Sequence, residues 1–280
     1  MLKFHTHRSL ARVLMLTLFL LLSFGCAIRS NSHPMDTGQL ILNDAVRSKP
    51  IVLLGEVHDN AQQHAMRLLA FENLLLEGKR PALLMEQFDR ENQAAIEVVR
   101  KQAPNDLSSI IAAGSPDNRG WNWAYYKPFL ALALKYGLPI IAANVSNADS
   151  KKAIQEGLNA LNISAVPNPQ LTDQQAQEIF NGHCQMMPMS AAKTMVNAQV
   201  AKDIVMAQLA MQHQARGAVL LAGNGHVRKD IGIPVWLSQS AREHSVSIGL
   251  LESATTANLF DVMIVTIAQA RNDPCLEFKK

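Results

Sequence analysis

Acidic and imidazole side chains follow several of the short apolar segments that the sequence predicts to be strands. Glu56 and His58 come directly after the first segment, Glu86 ends the second, and His226 comes after the fourth. The carboxyl ends of parallel strands meet at one edge of an open sheet, and ligands bind at that edge. Carboxylates and imidazoles are costly to bury unless they pair or bind a ligand. Their joint placement therefore predicts a functional site at this edge.

Other polar residues are expected at the same edge. Asn144 ends the third predicted strand, Asn224 and Arg228 follow the fourth, and Glu252 ends the fifth. Any one polar residue in such a place also has a structural explanation, since side chains there cap helices and glycines make strand-exit turns. We expect the pocket to contain Glu56, Glu86, Asn144, Asn224 and Arg228.

Short apolar runs alternate with amphipathic stretches, and this alternation predicts the framework that would hold the site. The predicted strands are residues 50–55, 82–86, 139–144, 218–223, 246–252 and 260–266, and the helices between them include 61–77, 90–101, 172–181, 191–215 and 235–243. Pro128 is expected to begin a further helix that runs to Tyr136. The pattern is typical of an α/β fold, with a largely parallel sheet and helices on both faces.

The stretch between Ser146 and Arg216 contains no strand candidate. We interpret residues 146–216 as a smaller helical subdomain inserted into the sheet domain, which residues 41–145 and 217–280 would form.

The amino terminus has the pattern of a secretory signal. Lys3, Arg8 and Arg12 precede an apolar run over residues 13–24, and no acidic residue occurs among them. A helix of this run is shorter than the roughly 20 apolar residues that a membrane span needs. We therefore expect residues 1–25 to be a signal peptide.

The residues that lead into Cys26 resemble a bacterial lipobox, in which the cysteine sulfur is acylated and the signal is removed. Ala27 after the cysteine resembles outer-membrane sorting. These features predict a lipidated tether over residues 26–40 and an outer-membrane lipoprotein that faces the periplasm. A soluble periplasmic protein with a free or cleaved cysteine is the alternative.

The positive charge of the chain belongs to the predicted signal. The formal net charge is +3, and removal of Lys3, Arg8 and Arg12 leaves a balanced mature chain. Nucleic-acid binding depends first on neutralising phosphates with an excess of cations. The balanced charge therefore excludes a nucleic-acid partner.

Cys184 and Cys275 remain as an even pair in a chain predicted to reach an oxidising compartment. We expect a disulfide that ties the last residues to the middle of the chain, and two buried thiols are the alternative.

Six segments together resemble the ChaN family of haem-binding uptake proteins, within the Tiki-like group. They are residues 55–60, 85–88, 123–128, 142–144, 183–184 and 223–228, in the order that the family has. The resemblance implies a two-domain α/β protein that binds haem as its cofactor. It also implies a homodimer with stacked haem groups and a tyrosine on the iron.

The residues that would contact haem follow from the same resemblance. Trp123-Ala-Tyr-Tyr-Lys-Pro128 is similar to the family segment Trp-x-x-Tyr-x-Pro, which aligns Tyr126 with the motif tyrosine and leaves Tyr125 as its neighbour. A phenolate oxygen suits ferric iron, and His58 and His226 are the other candidate haem contacts. Aromatic packing at a helix start is the alternative role for the tyrosines. Besides haem, the expected partners are a second copy of the chain, a membrane lipid anchor and an outer-membrane haem receptor.

Two other functions remain open from the sequence. Glu56, His58, Glu86 and His226 resemble the carboxylate and histidine set of Tiki-like metalloproteases and erythromycin-esterase-like hydrolases. The chain has neither a His-Glu-x-x-His helix nor a Gly-x-Ser-x-Gly elbow, so we expect a binding protein rather than an enzyme. A non-enzymatic interaction protein is the third alternative. Nucleotide binding is disfavoured because Arg228 replaces the last glycine of Gly-x-Gly-x-x-Gly.

Overall fold

The six strands form one parallel sheet. The computed structural model describes residues 37–117 and 120–277. The strands are β1 (Ile51–Leu54), β2 (Ala82–Asp89), β3 (Ile140–Asn144), β4 (Ala218–Leu221), β5 (Ser245–Leu251) and β6 (Val262–Val265). Their order across the sheet is β3-β2-β4-β1-β5-β6, and every neighbouring pair is parallel. The predicted fold class is confirmed.

Helices connect the strands. They are α1 (Thr37–Ser48), α2 (Ala61–Leu76), α3 (Gln93–Gln102), α4 (Leu107–Gly114), α5 (Trp123–Lys135), α6 (Asn147–Glu156), α7 (Pro169–Gly182), α8 (Met189–Gln212), α9 (Asn224–Val227), α10 (Ile233–Trp236), α11 (Gln239–Glu243) and α12 (Pro274–Glu277). Short 3-10 turns occur at Arg90–Asn92 and Leu158–Leu161. Within the described residues, no helix is both long enough and apolar enough to cross a membrane.

The central strands are buried on both faces, which explains their continuous apolar sequence. Val52 and Leu54 of β1 pack into the cluster beneath α1 to α5, whereas Ile51 and Leu53 pack into the cluster on the opposite face. Side chains alternate between the two sides of a strand, so each face receives its own set of apolar residues. Helices therefore cover both faces of the sheet, as the sequence predicted.

Helices α6, α7 and α8 pack around a third apolar cluster. The last turns of α8 also pack on the sheet, where Met206, Ala207 and Ala210 join the second face. The division into a helical subdomain over residues 146–216 and a sheet domain stays a prediction.

Two boundaries differ from the sequence analysis. Residues 37–40, assigned to the tether, form the first turn of α1, because Leu42, Ala45 and Val46 bury this helix against the core. Helix α5 begins at Trp123 and not at Pro128, since the Asn122 side chain caps it by accepting from the Ala124 amide. Pro128 inside α5 has no amide hydrogen to donate, so the helix lacks one backbone hydrogen bond. Burial of one face of α5 offsets this loss.

A third difference concerns residues 235–243, which the sequence predicts to be one helix. The structure divides this stretch into α10 and α11 because Leu237 and Ser238 are extended. Ser238 caps α11 by accepting from the Ala241 amide, and serine favours this capping role.

The predicted disulfide is confirmed between Cys184 and Cys275. Their Cα atoms lie 5.4 Å apart across a sequence separation of 91 residues. The bond attaches the carboxyl-terminal segment to the end of α7.

Replacing both Cys184 and Cys275 by serine is expected to lower the free energy of unfolding by about 2–5 kcal/mol, because the open loop gains freedom in the unfolded chain. Denaturant titration of the oxidised protein and the double variant measures this difference. Equal unfolding midpoints and slopes would contradict a stabilising role for the bond.

Candidate functional site

A buried carboxylate lies at the carboxyl end of the central strand β1. Glu56 follows β1 two residues after Leu54, and it is only 2% exposed. Helix α2 comes from the same loop, capped by Asn60, whose side chain accepts from the Gln63 amide. The strand-exit loop and the first turns of α2 therefore lie together around one acidic group.

Four side chains surround Glu56. Oε2 pairs with the Arg67 guanidinium, and Nδ1 of His64 lies 3.3 Å from the same oxygen. Oε1 accepts the Tyr126 hydroxyl at 2.5 Å and contacts Nδ1 of His58 at 2.9 Å. The carboxylate thus joins α2 and α5 to the end of β1.

Arg67 and Tyr126 are fully buried beside the carboxylate. Burial lowers the pKa of Arg67 to about 10, although the nearby Tyr126 and Glu86 oppose that shift. The guanidinium therefore stays charged at neutral pH. Burial raises the pKa of Tyr126 well above its ordinary value, so its hydroxyl keeps its proton and donates to Glu56.

His64 lies beneath the loop that carries His58. Its Nε2 is 3.0 Å from the His58 carbonyl oxygen, which can only accept, so this nitrogen carries the hydrogen. Burial lowers the pKa of His64 to about 4, and the ring is neutral at neutral pH. Tyr125 stacks on the ring with centroids 4.3 Å apart.

His58 is the exposed member of the group. Half of its side chain, 49%, is accessible to solvent, and its ring meets Trp121 edge-on at 4.9 Å. Glu56 accepts from Nδ1, so the neutral ring has its lone pair on Nε2. A Cβ atom at Gly223 would lie 3.0 Å from Nε2, so the glycine leaves room beside this nitrogen. A carboxylate that accepts from one imidazole nitrogen in this way is typical of metal-binding histidines.

A second group lies next to the first, in the second half of β2 and just after β4. Nδ1 of His226 lies 2.6 Å from Oδ1 of Asp203, and Nε2 of the same ring lies 3.4 Å from Oε1 of Glu86. Glu86 also accepts the Gly223 amide at 2.8 Å. This arrangement links α8, β2 and the loop after β4.

His226 and Glu86 stabilise each other's charges in the second group, whereas burial raises the pKa of Asp203. Burial alone would lower the pKa of His226, but Glu86 and Asp203 outweigh it and raise that pKa to about 10. Burial favours a higher pKa for Glu86, yet the charge of His226 brings it below its usual range. His226 is therefore an imidazolium whose two N–H groups point at carboxylates, so it has no lone pair for iron or for a base role.

The remaining predicted pocket residues have structural partners. Asn144 accepts from the Val145 amide, while Asn224 bonds both backbone groups of Leu250. Arg228 pairs with Asp230 and, at 2.6 Å, with Glu178 on α7. These contacts fix the loops that border the carboxyl edge of the sheet.

Glu252 at the end of β5 fixes the carboxyl-terminal segment. It pairs with Arg271 at 2.6 Å, and Arg271 also reaches Asp59, the residue after His58. Asn60 donates to both Glu252 and the Ile267 carbonyl. The segment from Thr266 onward therefore braces the loop that presents His58.

The four residues of the predicted hydrolase set do come together, but as two separate carboxylate–imidazole pairs. Glu56 holds His58, and Glu86 holds His226. Within residues 37–117 and 120–277, no group of three or more His, Cys, Asp or Glu side chains is arranged to hold a metal ion.

Sequence reasoning missed Arg67, Asp203 and the role of His64. The sequence feature that could have identified them is a charged or imidazole residue on a helix face that is otherwise apolar. Asp203 lies between Ala201 and Ile204 in such a stretch of α8. Such a residue must find a partner when the helix packs.

Replacing His226 by glutamine is expected to lower the free energy of unfolding by about 3–5 kcal/mol near pH 6, since it leaves two buried carboxylates without a cation. The pKa of His226 in the folded protein, about 10, lies above the ordinary histidine value of 6.5, so the contribution is complete below pH 6.5 and is lost as the pH rises towards 10. Denaturant titrations across this range should show the two proteins converging.

His244 provides the matched control for this experiment. Its exposed ring bonds only the Ser240 carbonyl, so His244→Gln should leave the pH profile unchanged. A constant difference between His226→Gln and the parent protein at every pH would rule out the buried imidazolium.

Comparison with known proteins supports one family. A family model described as haem-binding uptake, Tiki superfamily, ChaN, matches residues 42–237, which is more than half of the chain. No curated protein matches the chain.

Two solved structures resemble the fold to different degrees. ChaN of Campylobacter jejuni, in a structure of cofacial haem binding, has a TM-score of 0.65 and 20% sequence identity, covering 81% of this chain and 91% of its own. A succinoglycan biosynthesis protein has a TM-score of 0.38 and 14% identity, covering 75% of this chain and 68% of its own, which is too distant for an argument about fold. The first likeness shows the fold, and the family match spans both groups of the site. The chain therefore belongs to the ChaN family of haem-binding uptake proteins in the Tiki superfamily.

Proposed function

We propose that this protein binds haem at the carboxyl edge of its sheet and serves the uptake or storage of haem iron. Family membership makes haem the cofactor to consider. The observation that carries the proposal is His58, a half-exposed imidazole whose Nδ1 is held by the buried Glu56. Imidazole is a common axial ligand of haem iron, and its other nitrogen usually donates to a carboxylate or a carbonyl.

The surroundings of His58 fit a porphyrin. Trp121 and Tyr125 are half-buried aromatic residues on the same side of the site, and they pack against His58 and His64 respectively. Flat aromatic rings offer apolar area for stacking on a macrocycle. Bound haem would supply an iron centre, while the protein would supply the axial nitrogen and these walls.

We propose a different assignment of the tyrosines from the one that the family motif indicates. Tyr126, which the family motif aligned with an iron ligand, is fully buried and donates its hydroxyl to Glu56. Its raised pKa disfavours the phenolate that iron would need. We therefore assign His58 as the iron ligand and Tyr126 as the residue that holds Glu56. Tyr125 is half-exposed and is the second candidate for iron.

Hydrolysis is not favoured as the function. His226 of the predicted hydrolase set cannot act as the general base, because that role needs a free lone pair near neutral pH and both of its N–H groups are engaged by Glu86 and Asp203.

The cellular setting is part of the proposal. The signal over residues 1–25, the acylated Cys26 and the first part of the tether lie outside the described residues. An envelope lipoprotein at the outer membrane, acting as a homodimer that receives haem from an outer-membrane receptor, is consistent with the uptake family. The confirmed disulfide suits an oxidising compartment.

Titration of the mature protein with ferric haem is expected to produce a shifted Soret band at micromolar concentrations. His58→Ala should weaken binding by about tenfold or more and remove the imidazole features, because it deletes the axial nitrogen. Tyr126→Phe should keep those features, since Arg67 still holds Glu56. Light scattering of the complex should give twice the mass of one chain.

His244→Gln is the control for loss of an exposed imidazole elsewhere, and it should bind haem like the parent protein. Loss of the shifted Soret band in Tyr125→Phe or Tyr126→Phe, together with an unchanged band in His58→Ala, would show that a tyrosine binds the iron. An unchanged haem spectrum with the parent protein would overturn the function itself.

The natural amino terminus provides a separate test of the envelope assignment. Mass spectrometry of the protein from its membrane fraction should show an acylated Cys26 and no residues before it. A chain that begins elsewhere and carries no lipid would favour the soluble periplasmic alternative.

A further inference from the structure

The turn between α7 and α8 combines ligands that soft metals prefer. Its sequence, His183-Cys-Gln-Met-Met-Pro-Met189, contains an imidazole and three thioethers within seven residues. We propose that this turn binds Cu(I), with His183 and Met186 as ligands. His183 lines a cavity together with Asp203 and His226 of the second group, and His58, the proposed iron ligand, is not among the residues that line this cavity.

The backbone brings these two residues together. The Met186 amide donates to the His183 carbonyl at 3.1 Å, which closes a four-residue turn. The two central residues, Cys184 and Gln185, both have left-handed backbones, with φ of 58° and 60°. Residues at the ends of such a turn have Cα atoms within about 7 Å of each other. His183 and Met186 are therefore neighbours at its two ends.

The turn is kept in an unfavourable conformation. Left-handed backbone costs roughly 1–2 kcal/mol for a residue other than glycine, and here two adjacent residues adopt it. The disulfide from Cys184 to Cys275 attaches this turn to the carboxyl-terminal segment. Because its sulfur is in the disulfide, Cys184 is not a thiolate ligand, and the donors of the site are imidazole and thioether.

His183 is already oriented for a metal. Its Nδ1 lies 2.8 Å from the Ile179 carbonyl oxygen, which can only accept, so Nδ1 carries the hydrogen. The lone pair of this exposed histidine is therefore on Nε2. Metal-binding histidines usually donate their other nitrogen to a carbonyl or a carboxylate in this way.

Met186 is an apolar side chain that the fold leaves largely exposed. It is 56% exposed, whereas Met187 and Met189 are half-buried and pack against the cluster of α6 to α8. Thioether ligands select Cu(I), while Mg²⁺ and Ca²⁺ require oxygen ligands. An exposed thioether next to an oriented imidazole therefore favours Cu(I).

The test is a competition for Cu(I) between the oxidised, haem-free protein and the chelator bicinchoninate, under ascorbate and without oxygen. We expect the parent protein to retain one Cu(I) per chain. His183→Gln and Met186→Leu should each lower the affinity by about tenfold or more, since each removes a ligand. Mass spectrometry after the experiment should show the disulfide intact.

Two matched variants control for histidine and methionine loss elsewhere. His244 has the same helix-end contact, with Nδ1 at 2.7 Å from the Ser240 carbonyl, but its neighbouring residues include no methionine. Met263 is also an exposed methionine, at 38%, on β6. His244→Gln and Met263→Leu should bind Cu(I) like the parent protein.

Three outcomes would overturn the proposal: no retention of Cu(I) by the parent protein, parental affinity in both turn variants, or equal losses in the controls. Haem titration of His183→Gln and Met186→Leu separates this proposal from the haem function, because both variants should bind haem normally.

Discussion

The structure of the site depends on the burial of one carboxylate, Glu56, at the end of the central strand. A buried charge without a partner costs several kcal/mol, so the chain must bring a cation and donors to it. Arg67 from α2 provides the cation, and Tyr126 from α5 provides a hydroxyl. These two contacts fix α2 and α5 against the sheet. Oε1 of Glu56 also accepts from Nδ1 of the partly exposed His58. The orientation of the His58 ring is therefore a consequence of how the core is stabilised.

The second group is also built around one buried charge, but there the central charge is positive and its partners are negative. Here a buried imidazolium, His226, is held between Glu86 and Asp203, and it joins α8 to the sheet. The two groups meet at Gly223, whose amide bonds Glu86 and whose missing side chain leaves room for the His58 ring. One histidine is thereby used for stability and the other remains available for a ligand, although the sequence treats the two alike.

The strands and the edge could be predicted from the sequence because they depend on local patterns. A parallel strand that is buried on both faces is an apolar run, and the polar residues after β1, β2 and β4 had to meet at one edge. The partners across that edge could not be predicted, since Arg67 and Asp203 are distant in sequence from the acids and imidazole they pair with. The role of Tyr126 depends likewise on tertiary packing, because its motif does not show whether the hydroxyl faces solvent or Glu56. The first turn of α1, residues 37–40, was assigned to the tether for a similar reason: its burial depends on contacts with α2.

Resonance Raman spectroscopy of the ferric haem complex, made with isotopically labelled histidine, tests the central claim most directly. The account predicts an iron–nitrogen vibration that shifts with the label and disappears in His58→Ala. An iron–phenolate vibration that is insensitive to the label and disappears in Tyr125→Phe or Tyr126→Phe would contradict it.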